Sequence, residues 1–178
     1  MASLVERMVG AAKLDPATYE EVEADQTATP QAMLVVILAS VAAGFGVLGV
    51  VGIGGLLMAA LASLVGWYVW AFITYFVGTR ILPGPKTEAD VGQLLRTLGF
   101  SAAPGLIRVL GIVPRLFIAV SVIASVWMLV TMVVAVRQAL DYETTGRAVA
   151  VCVIGLIFNF VVLYLLSRLM GVPLGIAP

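Results

Sequence analysis

The sequence predicts an all-α membrane protein: a single bundle of five transmembrane helices, the third kinked at Pro104, preceded by a short amphipathic and acidic helical segment. Three observations carry this. The chain is 62% hydrophobic and 11% charged with a mean hydropathy of +1.12, a balance that soluble domains do not show. Its apolar residues fall in runs of about 20, the length that crosses ~30 Å of hydrocarbon as helix. The acidic residues all lie outside those runs, in residues 1–25 and in two polar loops, 80–90 and 137–147. Residues 1–29 form the N-terminal segment, and residues 30–172 form one membrane domain with spans at about 31–53, 56–79, 93–113, 116–136 and 148–170.

Residues 2–14 place Leu4, Val5, Met8, Val9 and Ala12 on one face at helical spacing, opposite Glu6, Gly10 and Lys13. A short helix on the membrane surface or docked under the bundle suits this pattern. Asp15 and Pro16 read as N-cap and first residue of a second short helix. Residues 1–25 hold two basic residues, Arg7 and Lys13, against six acids. This segment has no apolar core of signal-peptide length, so the first span is expected to act as an uncleaved anchor.

Thr29 and Pro30 repeat the cap-then-proline signal and open the first span, whose second half carries Gly46, Gly49, Gly52 and Gly55. Small residues let helices approach closely in lipid. A hairpin turn is expected at Gly54–Gly55. The second span has Ala59, Ala62, Ser63 and Gly66 on one side, with Trp67, Tyr68 and Trp70 at mid-length, where rings pack against other helices. Trp127 of the fourth span is their expected neighbour, and an aromatic ligand cage is the alternative.

The loop at 80–90 ends in Thr87-x-x-Asp90, a capping pattern for the next helix, which should stop before Pro104. The stretch 91–115 is apolar yet holds Arg96, Arg108 and the breaker Pro104–Gly105. From 93 to 113 it would measure about 31 Å as helix, enough to cross, although re-entry is the other reading. The fourth span has Ser121 and Ser125 four apart. The last lines up Ala148, Cys152, Gly155 and Asn159.

With a cytoplasmic N-terminus and five spans, Arg7, Lys13, Arg80, Lys86, Arg96, Arg137 and Arg147 fall inside, and Arg108, Arg115 and Arg168 fall outside. That obeys the positive-inside tendency, as would a re-entrant third stretch. The expected location is the cell's inner (plasma) membrane, multi-pass, with the C-terminus on the opposite side.

The chain has no histidine, and Cys152 is its lone cysteine. Disulfides, thiolate or imidazole metal sites and histidine-dependent nucleophiles are therefore excluded. With no carboxylate inside an apolar run, a proton- or sodium-coupled carrier is disfavoured. No enzyme activity, cofactor, metal or nucleic-acid partner is expected.

The residues Leu98, Gly99, Phe100, Ser101, Ala102, Ala103 and Pro104 resemble the G-[YF]-S-x-x-P motif in the third span of the Yip family of polytopic membrane proteins. The loop Gln138-Ala139-Leu140-Asp141-Tyr142, followed by Thr145-Gly146-Arg147-Ala148, is similar to that of bacterial members. The resemblance implies five helices and a cytoplasmic N-terminus. In eukaryotic members it also implies binding to Rab GTPases, partner association and a role in membrane traffic. The aspartate-leucine-tyrosine-glycine-proline motif of those members is absent from residues 1–30, so Rab binding is not carried over.

Two functions follow. The first is a non-enzymatic scaffold or adaptor that binds partner proteins or organises the bilayer, with Gly99, Phe100, Ser101, Pro104, Asp141, Tyr142 and Arg147 as its family-motif and interaction residues. Its partners would be membrane lipids and a membrane protein, or a second copy held through small-residue helix faces. The second is a small channel or facilitator for an anion or lipid headgroup, using Arg96 and Arg108 around the broken third helix, with Asn159 as the amide at membrane depth.

Overall fold

The computed structural model describes residues 2–45 and 48–169, and every regular element among them is helical. Helix α1 (Leu4–Ala12) starts in a capping box. The Glu6 amide donates to the Ser3 hydroxyl at 3.3 Å and the Ser3 amide to the Glu6 carboxylate at 2.7 Å, so two orphan amides of the first turn are satisfied. A corner with Leu14 at φ 64° leads to α2 (Pro16–Ala24), capped by Asp15 with Pro16 at its first turn, as the sequence predicts. The two helices cross closely at Gly10, where a Cβ would lie 2.1 Å from Thr18 Oγ1.

A 3-10 turn (Gln26–Ala28) precedes α3 (Thr29–Phe45). Thr29 is already helical and its hydroxyl donates to Gln26 O; the cap there belongs to Asp25, which accepts from Thr27 N. The expected span 31–53 and the turn at Gly54–Gly55 are corrected. The first helix ends at Phe45, and α4 (Leu48–Phe76) already contains Gly54 and Gly55. The break inside α4 is at Gly52, with φ 63° and ψ −178°, a conformation only glycine reaches at little cost. From Gly52 the apolar helix runs to Ile81, its last five residues a π turn.

The expected single third helix is two pieces. An α-helix, α5 (Val91–Phe100), ends ahead of Pro104, and a 3-10 segment (Ala103–Ile112) continues from it. The cap of α5 is Asp90 alone, boxed with Gln93. Thr87 instead donates to Leu140 O at 2.8 Å and accepts from Gly84 N. Helices α6 (Phe117–Ala139) and α7 (Thr145–Leu169) follow. Gly46 and the expected end of the last span at Met170 lie outside the described residues.

Segments successive in the chain alternate in direction. Gly44 meets Leu56, joining the far ends of α3 and α4, and Gly78 meets Leu140, joining α4 to the end of α6. Gly99 lies on Ala32 and Gly105 on Ala39, so α5 and the 3-10 segment run alongside α3 in the same sense. α6 returns antiparallel, with Thr131 on Ser101, Met128 on Gly105 and Phe117 on Gly111. α7 leads away again, its Gly155 against Trp70.

Small residues dominate these contacts. Ala28, Ala32, Ala39, Ala71, Ala135, Ala139 and Ala148 are buried, whereas Ile53, Leu57, Leu61, Val65, Ile118 and Val122 face outward. Buried small and exposed large apolar side chains are what a bundle in lipid requires, because close packing holds helices together there and hydrocarbon solvates the rest. Three helices, Gln26–Phe45, Gly52–Ile81 and Phe117–Ala139, are long and apolar enough to cross a membrane.

Candidate functional site

The polar end of the bundle gathers the N-terminal helices, the start of α5 and both polar loops. Two arginines hold α1 and α2 there. Arg7 is 2% exposed. Its guanidinium donates to Asp25 at 2.6 Å, to Glu21 at 3.0 Å and to Gln31 Oε1, at the start of α3, at 3.0 Å. A buried charge requires such a set of partners to be tolerated. Arg7 thereby ties α1 to the end of α2 and to the first bundle helix. Its hydrogen bond, after that from Thr27, holds the Asp25 carboxyl down at about 2.

Arg96 is 6% exposed. Its Nε donates to Val22 O at 3.0 Å and to Glu23 O at 3.1 Å, and its Nη2 also donates to Glu23 O. These carbonyls belong to the last turn of α2, where orphan acceptors and the negative dipole end favour a cation. The Glu23 carboxyl is pushed up to about 7, first by burial and then by Asp141, with Glu20 and Asp90 adding to it against the pull of Arg96.

The two loops are cross-linked beside this clamp. Tyr142 is buried, and its hydroxyl donates to Leu82 O at 2.6 Å and Gly78 O at 3.2 Å. Arg147 donates to Pro83 O at 2.9 Å and Lys86 pairs with Glu143 at 3.3 Å. Arg137 donates from one side of the second loop to Tyr142 O, Glu143 O and Thr145 Oγ1. Asp141 turns the chain at φ 50° and is exposed. The outcome is a fixed polar surface carrying Glu20, Lys86, Glu88, Asp141 and Glu143.

The remaining sequence-predicted residues occupy other roles. Gly99, Phe100, Ser101 and Pro104 are all buried. A Cβ at Gly99 would lie 2.7 Å from Ala32 Cβ, and Ser101 O accepts from Thr131 Oγ1 at 2.7 Å. This motif therefore joins α3, α5 and α6 and presents no open surface. Arg96 and Arg108 do not share a path. Arg96 is sealed under α2, while Arg108 is half-buried toward the far end and donates to Ser125 Oγ at 2.9 Å. Asn159 is half-buried on α7 and joins neither arginine.

The aromatic group is also divided. Trp67 Nε1 donates to Leu95 O at 3.0 Å and Trp70 lies on Gly155, but Tyr68 is 57% exposed. Trp127 does not join them and donates to Ala12 O at 2.8 Å. On α2's neighbour α1, the buried residues are Arg7 and Ala11, while Val5 and Val9 of the expected packing face are exposed. The small face of α4 is open, with Ala59, Ala62 and Gly66 exposed. Sequence reasoning missed the contacts of Arg7 and Gln31, and placed Trp127 against the other rings and not on α1. The signal for Arg7 was its place between Ser3 and Ala11 at four-residue spacing, on a face left unassigned.

A family model described as Yip1 domain matches residues 14–166. No curated protein and no solved structure matches the chain.

Proposed function

The chain belongs to the Yip1 domain family, and on that premise we propose that it is a non-enzymatic membrane scaffold whose polar end docks a partner protein. The observation that carries this reading is the double arginine clamp. Arg7 and Arg96 fix the N-terminal helices beside the two cross-linked loops, which gives a rigid, charged surface with no catalytic chemistry of its own. Preorganised surfaces bind partners without an ordering cost. In this reading the exposed residues Lys86, Asp141 and Glu143 face the partner, and the motif from Gly99 to Pro104 supports them from within.

Five crossings fit the same reading. α5 and the 3-10 segment, of ten residues each, together extend about 35 Å, long enough to cross ~30 Å of hydrocarbon. A cytoplasmic polar end fits the positive-inside tendency, since seven of the ten cations precede α3, lie in its two loops or flank them. The test is photo-crosslinking in native membranes, with the crosslinker at Lys86 in one variant and Asp141 in another. The same partner protein captured from both positions is the expected result. Adducts only to lipid and to the chain itself would overturn the scaffold reading.

A further inference from the structure

A second feature lies away from the polar end. α4, α5, the 3-10 segment and α6 line an open-sided cavity of about 380 Å³ whose walls include Trp67, Trp70, Arg108, Ser125, Met128 and Met132. That volume lies within the range of small-molecule sites. Among the described residues Arg108 is the single charged group in its lining and no carboxylate pairs with it. Its one hydrogen bond among the described residues goes to Ser125 Oγ, whose own proton is donated to Ser121 O. The indole N–H of Trp70 is buried with no acceptor among the described residues.

Ser125 is eight residues from the Phe117 end of α6, about 12 Å by helical rise, so the cation is within the apolar zone of the half opposite the polar end. An unpaired charge there is costly unless a counter-ion joins it. Leu129, another wall, is 51% exposed, which opens the cavity sideways to the bilayer. A counter-ion entering by that route must bring its own apolar tail.

We propose that this cavity binds an anionic phospholipid, with the phosphate on the free guanidinium donors of Arg108, the glycerol region against Trp67 and Trp70, and the acyl chains leaving past Leu129. Charge complementarity selects the anionic headgroup, and the ring and thioether walls suit the chain beneath it.

The test uses the full chain in mixed vesicles and reads quenching of its tryptophans by brominated phosphatidylglycerol, brominated phosphatidylcholine or brominated fatty acid. Phosphatidylglycerol is expected to occupy the site about tenfold more tightly than phosphatidylcholine. Arg108→Gln should abolish that preference, and Arg108→Lys should retain part of it. Arg115→Gln, at an exposed position outside the cavity, should leave it unchanged. Unfolding midpoints of all variants report whether each folds. Equal quenching by both phospholipids, a preference that survives Arg108→Gln in a folded variant, or tighter binding of the fatty acid would each overturn the proposal.

Discussion

Trp127 Nε1 donates to Ala12 O at 2.8 Å, joining residues 115 apart in sequence. The ring comes from the middle of α6 and the carbonyl from the last turn of α1, where helix acceptors have no internal donor. Together with Arg7 and Arg96 this makes a third attachment for the N-terminal helices, placed on the flank of the bundle. Trp127→Phe keeps an aromatic side chain, smaller than the indole, and removes the donor. It should cost about 1 kcal/mol and speed amide exchange across residues 4–12 while leaving the exchange of α6 unchanged.

Arg7 has the larger effect. Arg7→Ala leaves Asp25 and Gln31 without their guanidinium. Breaking a buried pair costs about 3–5 kcal/mol, and here about 2–3 because Glu21 is 41% exposed. Limited proteolysis should cut at the corner of residues 13–15 in this variant well before the bundle unfolds. Arg7→Lys should rescue only in part, since an ammonium cannot span all three acceptors in the same planar fork.

Gly99 packs directly on Ala32 where α5 meets α3. Gly99→Ala would place a Cβ 2.7 Å from Ala32 Cβ and 3.1 Å from the Ala32 backbone. The expected cost is about 1–3 kcal/mol by overpacking, read as a lower midpoint of thermal unfolding in detergent. Adding Ala32→Gly removes the side-chain clash but not the backbone one. The double variant should therefore recover part of the loss, which a double-mutant cycle measures.

Glu23 gives the N-terminal attachment a pH dependence. Its carboxyl is raised from 4.5 to about 7 by burial first and by Asp141 second, so the folded chain holds this proton more tightly than the unfolded one. The stabilising contribution is complete below 4.5 and is lost as pH rises through about 7. Because the group is about half solvated, the change should be on the order of 1 kcal/mol. Amide exchange in α2 should speed up across that window in the parent chain, and Glu23→Gln should flatten the dependence.

Tyr142 tests the loop connection. Tyr142→Phe leaves Leu82 O and Gly78 O without this donor, at a cost of about 1–2 kcal/mol. Exchange should rise in residues 78–90 while α3 and α5 hold their protection.

By itself the sequence determined the helical membrane class, because length and hydropathy of the runs set what can cross lipid. It also determined the cap at Asp15 and the stop of α5 ahead of Pro104, since each is decided within one turn of backbone, whereas the cap of α5 fell on Asp90 and not on Thr87, whose hydroxyl is drawn away to Leu140 O. The resemblance carried by Gly99, Phe100, Ser101 and Pro104 pointed to the right family. What those residues do was decided only by the tertiary structure: they are buried at a helix crossing, and burial depends on neighbours distant in sequence. The break at Gly52 was equally hidden, because four glycines in a row at three-residue spacing offer several places to bend and only packing selects one. The same holds for the arginines. Arg96 and Arg108 look alike along the chain, but one is closed over by the carbonyls of α2 and the other opens on a cavity. That difference arises from which segment folds against each, and no local property of either residue encodes it.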